Sequence, residues 1–138
     1  MEKNRVKITR TRVIETEVEV PETLDGFRTW EFTSGSTTGA DFKVFAPLFR
    51  KFVRANLPRM SILADFSVGH YDLSGFIQRE DRFVYFSISD VRHFPGRWAE
   101  QILVRTARDA RDFTGGINNY TDLASFRVKV EFLLQRDR

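Results

Sequence analysis

The sequence contains no cysteine, which excludes disulfide bonds, thiolate metal sites and cysteine nucleophiles. Only two histidines occur, His70 and His93, so a multi-histidine metal site is excluded as well. No apolar run approaches the roughly 18 residues that a membrane-spanning helix needs. The first residues are charged and lack the apolar stretch of a secretion signal. We therefore expect a cytoplasmic protein with no membrane partner and no cofactor.

The composition is that of a folded domain. The chain has 138 residues, of which 41% are hydrophobic and 30% are charged, and this places it in the globular range. Fourteen phenylalanines supply a large apolar volume for one core. We expect residues 1–138 to form a single globular domain.

Alternation of apolar and polar residues predicts most of the strands. It is clearest in 82–89, where Val84, Phe86 and Ile88 face one way while Phe83 and Tyr85 face the other. The same reasoning predicts one strand ending at Pro21, a short strand that pairs back as a hairpin, and a strand followed by its continuation or a further strand before 82–89. These segments are 5–20, 28–32, 60–68 and 69–78.

Phenylalanines at helical spacing predict a firm helix at Pro47–Asn56, with Pro47 at its first position, where its missing N–H costs nothing. Residues 41–46 are either a preceding turn or a kinked extension of this helix. A last helix is predicted with Thr121 as its N-cap. A short helix is expected near Trp98, and residues 102–107 fit either a helix or a strand. The fold class predicted is α+β: a mostly antiparallel sheet of about five strands with two or three helices packed on it.

The segment 105–120 gathers residue types that favour an anionic partner. Its arginines can form forked hydrogen bonds with phosphate, its Gly115-Gly116 pair lets backbone donors approach, its asparagines can read a base edge, and its tyrosine can stack. If residues 97–111 form a helix, Arg97 lies on the same face of that helix as Arg105 and Arg108. In the alternative interpretation, Asp109 and Asp112 neutralise these arginines in a surface element. The candidate residues are Arg97, Arg105, Arg108, Arg111, Asn118, Asn119 and Tyr120.

A second basic element is the phenylalanine-rich helix, which has no acidic residue between positions 42 and 59. Arg50 and Arg54 are four residues apart and share one face. They are either a phosphate-binding face or the solvated side of a core helix. Phe83 and Tyr85 could stack on bases, or a helix could cover them.

A weaker candidate is a catalytic or Mg²⁺/Mn²⁺ site formed by His70, Asp72, Asp90 and His93. Pairing of the two strand regions would bring these groups to one end of the sheet. No diagnostic spacing supports this site, so no metal is predicted.

The sequence thus favours a small, non-enzymatic nucleic-acid-binding module for single-stranded DNA or RNA, or for the phosphate backbone. One alternative is a protein-binding or inhibitory accessory factor of the kind that phages or plasmids encode, whose arginines meet an acidic partner. Another is a metal-dependent nuclease. A homodimer through the long first strand is a further expectation, since pairing two exposed edges hides both.

Overall fold

The computed structural model describes residues 11–13, 19–32, 39–69, 72–89 and 97–136. Much of the first predicted strand lies outside these ranges. Its described parts form two short strands, β1 (Thr11–Val13) and β2 (Glu19–Pro21), which pair antiparallel. The prediction of one continuous strand over 5–20 is therefore wrong, because the chain folds back and pairs with itself.

The main sheet has five antiparallel strands whose order in space follows their order in the sequence. This confirms the predicted α+β fold with about five strands. Residues 102–107, which the sequence left open, form a strand. The strands are β3 (Ile62–Val68), β4 (Asp72–Arg79), β5 (Arg82–Ser89), β6 (Ile102–Ala107) and β7 (Asn119–Thr121).

Two α-helices are described, α1 (Ala40–Ala55) and α2 (Phe126–Leu134). Residues 41–46, which the sequence left as a preceding turn or an extension of the helix, belong to α1, so Pro47 lies inside the helix and not at its first position. Proline removes one intrahelical donor, here the one for the carbonyl of Lys43, and Lys43 is exposed to water that can replace it. The buried phenylalanines before and after Pro47 hold both halves of α1 on the core.

Two boundaries differ from the sequence prediction for local reasons. Residues 25–29 form a 3-10 helix where a strand over 28–32 was expected, with Phe27 buried in the core. Thr121 does not cap the last helix, because it pairs with Ile102 in the sheet. The carboxylate of Asp122 instead accepts a hydrogen bond from the Ser125 N–H at 2.8 Å, just before α2. The short helix expected near Trp98 is confirmed as a 3-10 turn at Arg97–Ala99.

Both α-helices contribute to one aromatic core on the same face of the sheet. The Phe45 ring meets the Trp98 ring edge-on, with centroids 4.8 Å apart, and Phe49 contacts Phe86 of β5. Phe86 also packs against Phe126 at the start of α2. The Nε1–H of Trp98 donates to a backbone carbonyl at 3.0 Å, so its polar atom is satisfied inside the core.

Gly75 allows β4 to lie close beneath this core. A Cβ atom at Gly75 would come within 2.7 Å of the Phe86 ring. Phe66 of β3 lies on the other side of Gly75, and the Phe66 and Phe86 ring centroids are 6.3 Å apart. The absence of a side chain at Gly75 thus lets aromatic packing continue to the β3 edge of the sheet.

Two arginines that flank the turn between β4 and β5 anchor α2. Nη1 of Arg79 lies 3.0 Å from both carboxylate oxygens of Glu131, and this contact lowers the pKa of Glu131. Nη1 of Arg82 donates to the carbonyl of Arg136 at 2.7 Å, beyond the end of α2. Both arginines therefore have structural roles on the side of the sheet that carries the helices.

Truncating a buried ring should test this packing. Phe45→Ala should reduce the free energy of unfolding by about 3–5 kcal/mol, because Phe45 is fully buried among other rings. Phe132→Ala is the matched control, since the Phe132 ring is about half exposed, and it should cost under about 1 kcal/mol. Urea unfolding of both variants measures the difference, and equal losses would contradict the description of the core.

Candidate functional site

The loop that connects β6 and β7 is organised by the carboxylate of Asp112. This carboxylate accepts hydrogen bonds from the backbone N–H groups of Arg108 at 2.9 Å and Gly115 at 2.8 Å. Its Oδ2 also lies 3.5 Å from Nε of Arg108. Arg108 is therefore already paired with an acid, as the alternative interpretation of the sequence expected for the arginines of this segment.

These contacts also set the protonation of Asp112. The Arg108 N–H bond, with smaller contributions from Gly115 and Thr114, lowers the pKa of Asp112, although burial opposes the shift. Arg111 is exposed, and its backbone N–H donates to Asp109 at 2.8 Å. The Asp112 carboxylate is thus a fixed negative charge inside the loop, and it reduces the attraction of the loop for an anionic ligand.

Arg105 lies on the sheet face opposite the helices and is only 3% exposed. Its Cζ atom sits 4.4 Å from the centroid of the Tyr85 ring, directly across from it on β5. Phe113, from the β6–β7 loop, packs edge-on against Tyr85 and Phe76. Tyr85 is therefore buried, and a loop covers it instead of the helix that the sequence allowed.

Asn118, Asn119 and Tyr120 lie at the β7 edge of the sheet. Asn118 is exposed, while the side-chain amide of Asn119 donates to the carbonyl of Ile117 at 2.9 Å. Tyr120 pairs with Leu103 and is 59% exposed. It lines a cleft of about 610 Å³ against the outer side of α2.

The proposed acid–base cluster falls mostly outside the described residues. His70, Asp90 and His93 are not described, and neither is the side chain of Arg97, whose backbone lies in the 3-10 turn. Asp72 begins β4, opposite Ser89. Within the described part of the chain, no three histidine or acidic side chains come together as metal ligands.

A second cleft, between α1 and the edge strand β3, has a volume of about 670 Å³. We call it the α1–β3 cleft. Helix α1 contributes Arg50, Lys51 and Arg54, all exposed, and β3 contributes the apolar side chains of Phe66 and Val68. The rest of the lining is Ala46, Pro47 and Ala55.

The electrostatic character of the α1–β3 cleft is uniform. Three cations line it, and no acidic residue is among its described lining residues. Cζ of Arg50 lies 5.8 Å from the Phe66 ring centroid, which is a cation–π distance. An aromatic ring and a positive charge therefore lie next to each other in the cleft. Among the described strands β3 pairs only with β4, so β3 is an edge strand of the described sheet, beside the cleft.

The structure thus separates the residues that the sequence grouped. Arg50 and Arg54 share the α1–β3 cleft, on the side of the sheet that carries α1. Arg105 is buried on the opposite side, and Arg108 and Arg111 lie in the loop over that side. Nucleic-acid binding by the segment 105–120 remains a prediction, but its residues do not form one patch with those of α1.

Sequence reasoning missed Phe66 and Val68, and it counted Lys51 among the cations of the basic helix without naming it as a site residue. The only signal for Lys51 was the acid-free run from 42 to 59. Phe66 and Val68 gave no signal of their own, because which strand lies at the edge depends on long-range pairing. Their place beside α1 follows from the order of the five strands.

No helix in the described ranges has the length and apolar character needed to cross a bilayer. No protein-family model matches the sequence, and searches of curated proteins and of solved structures found no significant match.

Removing the loop anion should destabilise the protein in a pH-dependent way. Asp112→Ala leaves three backbone N–H groups without their acceptor and should cost about 2 kcal/mol at pH 7. Because the pKa of Asp112 is lower in the folded state, its contribution is complete above the unfolded pKa and is lost as the pH falls through the folded pKa.

Urea unfolding of wild type and Asp112→Ala at pH 7 and near pH 2.5 measures this dependence. The difference between the two proteins should shrink at the lower pH. Asp109→Ala in the same loop is the control, since its carboxylate accepts only the Arg111 N–H among the described donors. A difference that stays constant with pH would contradict the assigned role of the Asp112 carboxylate.

Proposed function

We propose that this protein binds single-stranded nucleic acid through the α1–β3 cleft. The observation that carries the proposal is the described lining of this cleft, in which three exposed cations lie beside apolar side chains and none of the described lining residues is acidic. Phosphate groups would bind the three cations, and a base would lie against the apolar side chains of Phe66 and Val68.

The cations suit a phosphate backbone. Arg50 and Arg54 are one helical turn apart on the same face of α1, so their guanidinium groups lie side by side along the cleft. Each guanidinium can bind a phosphate through two hydrogen bonds, and Lys51 adds a point charge. Neither arginine forms an ion pair with a described acidic residue, so no internal partner of that kind has to be displaced.

The apolar wall suits an unstacked base. Phe66 is partly buried and already holds the Arg50 guanidinium near its ring. Base stacking on an aromatic ring tolerates any sequence, because every base has a π face. We therefore expect weak sequence preference and a preference for single strands, whose bases are free to enter the cleft.

A second candidate function follows from the outer edge of β3, which no described strand covers. An extended acidic segment of another protein could add to this edge as a further strand, with its carboxylates facing Arg50 and Arg54. This is the accessory-factor alternative, and it uses the same cleft. It differs from the first proposal in the ligand that competes for the site.

Two other hypotheses rest on residues outside the described ranges. The metal-dependent nuclease needs Asp90 and His93 as well as Asp72. The homodimer through the first strand needs residues 5–10 and 14–18. Both remain predictions.

Charge removal in the cleft should weaken binding in a defined way. In fluorescence polarisation with a labelled single-stranded oligonucleotide, Arg50→Ala/Arg54→Ala should raise Kd at least about tenfold at low salt. Each lost phosphate contact should reduce the slope of log K against log salt by about 0.7 for a single strand, so the double variant should lose about 1.4.

The matched control is Arg108→Ala/Arg111→Ala, which removes the same charge from the β6–β7 loop. It should leave Kd and the salt slope nearly unchanged, and a larger loss there would move the interface to the loop. Phe66→Leu keeps an apolar side chain and should weaken binding by several fold through lost stacking. An acidic peptide that binds while oligonucleotides do not would favour the second candidate.

A further inference from the structure

Arg105 is a buried charge without a described counter-charge. Arginine keeps its proton at any physiological pH, so burial cannot neutralise it. The side chain is 3% exposed, and no described carboxylate forms an ion pair with it. A buried cation in this setting is strongly unfavourable unless another group compensates it.

The compensation visible in the structure is partial. The Tyr85 ring lies 4.4 Å from Cζ and offers its negative face to the guanidinium. Nη1 is nevertheless closed off from solvent and has no hydrogen-bond partner in the described part of the chain. Native structures rarely leave a charged donor in this state, and a bound anion would supply the acceptor that Nη1 lacks.

Two serines lie on the same face of the sheet as Arg105. Ser87 is two residues from Tyr85 on β5 and so lies diagonally across from Arg105, within reach of its long side chain. Ser74 pairs directly with Ser87 on β4. Both serines are buried residues.

We propose that Arg105, Ser87 and Ser74 form a binding site for an oxyanion, the carboxylate or phosphate group of a small ligand. Arginine supplies two parallel donors in the geometry that such groups accept, and each hydroxyl can rotate to supply another. Phe113 of the β6–β7 loop packs on the same Tyr85 ring. Among the described segments, this loop therefore covers the sheet face around Tyr85. The loop opens to admit the anion.

This site is independent of the proposed nucleic-acid cleft. Arg105 and the serines face away from the helices, whereas the α1–β3 cleft lies on the side of α1. Loss of one activity would therefore leave the other intact. The shared chemistry is an oxyanion, and the test below separates its two sources.

Thermal unfolding at constant ionic strength tests the proposal, with sodium phosphate, sodium acetate and sodium chloride as the three probes. Wild type should gain on the order of 4 °C in Tm at a tenfold excess of the bound anion over its Kd, relative to chloride. A response to phosphate alone assigns a phosphate ligand, and a response to acetate alone assigns a carboxylate.

Arg105→Met should lose this response, while Arg111→Met, an exposed arginine in the loop, should retain it. If Arg105→Met does not fold, Ser87→Ala decides, because it removes one donor and little volume. Its response should fall to less than half that of wild type. A wild-type Tm that is equal in all three salts, or an unchanged response in Arg105→Met or in Ser87→Ala, overturns the proposal.

Discussion

The packing of aromatic rings between α1 and the sheet is the interaction on which the rest of this structure depends. Phe45 and Phe49 on the inner face of α1 contact Trp98 and Phe86, with centroid separations of 4.8–6.3 Å. Aromatic pairs in this range contribute beyond their buried area. Because α1 is held by its phenylalanine face, its arginines must point away from the core.

The same packing fixes which surfaces remain available for a ligand. Both helices occupy one face of the five-stranded sheet, and among the described segments the β6–β7 loop packs on the other face through Phe113. The outer strands β3 and β7 each pair on one side only among the described strands. The two clefts therefore lie where a helix overhangs an edge strand, and only the one at β3 has cations and no acid among its described lining residues.

Arginines that look alike in the sequence have three different roles in this fold. Arg79 and Arg82 anchor α2 through a carboxylate and backbone carbonyls. Arg105 is enclosed against Tyr85 on the opposite face. Arg50 and Arg54 are exposed along α1. The surface that can meet an external polyanion is therefore set by tertiary position, and the density of arginine along the chain is a poor guide to it.

The features that depend on local pattern could be predicted from the sequence. The alternation in 82–89 predicted β5 and the face on which each of its described side chains lies. The spacing of the phenylalanines predicted which side of α1 packs on the core. Prediction failed where contacts with distant residues determine the secondary structure. Thr121 belongs to β7 because it pairs with Ile102 of β6. Helix α1 continues through Pro47 because Phe42 and Phe45 are buried in the core. Asp112 illustrates the limit for the site, since the sequence shows a nearby acid but not three backbone donors converging on it.

The most direct test of the central claim is to map backbone amide shifts of ¹⁵N-labelled protein during titration with a short single-stranded oligonucleotide. The account predicts that the largest changes fall on α1 residues 46–55 and β3 residues 62–68, with little change in the loop 108–118. Changes centred on that loop, or no changes at low salt and a saturating oligonucleotide concentration, would contradict it.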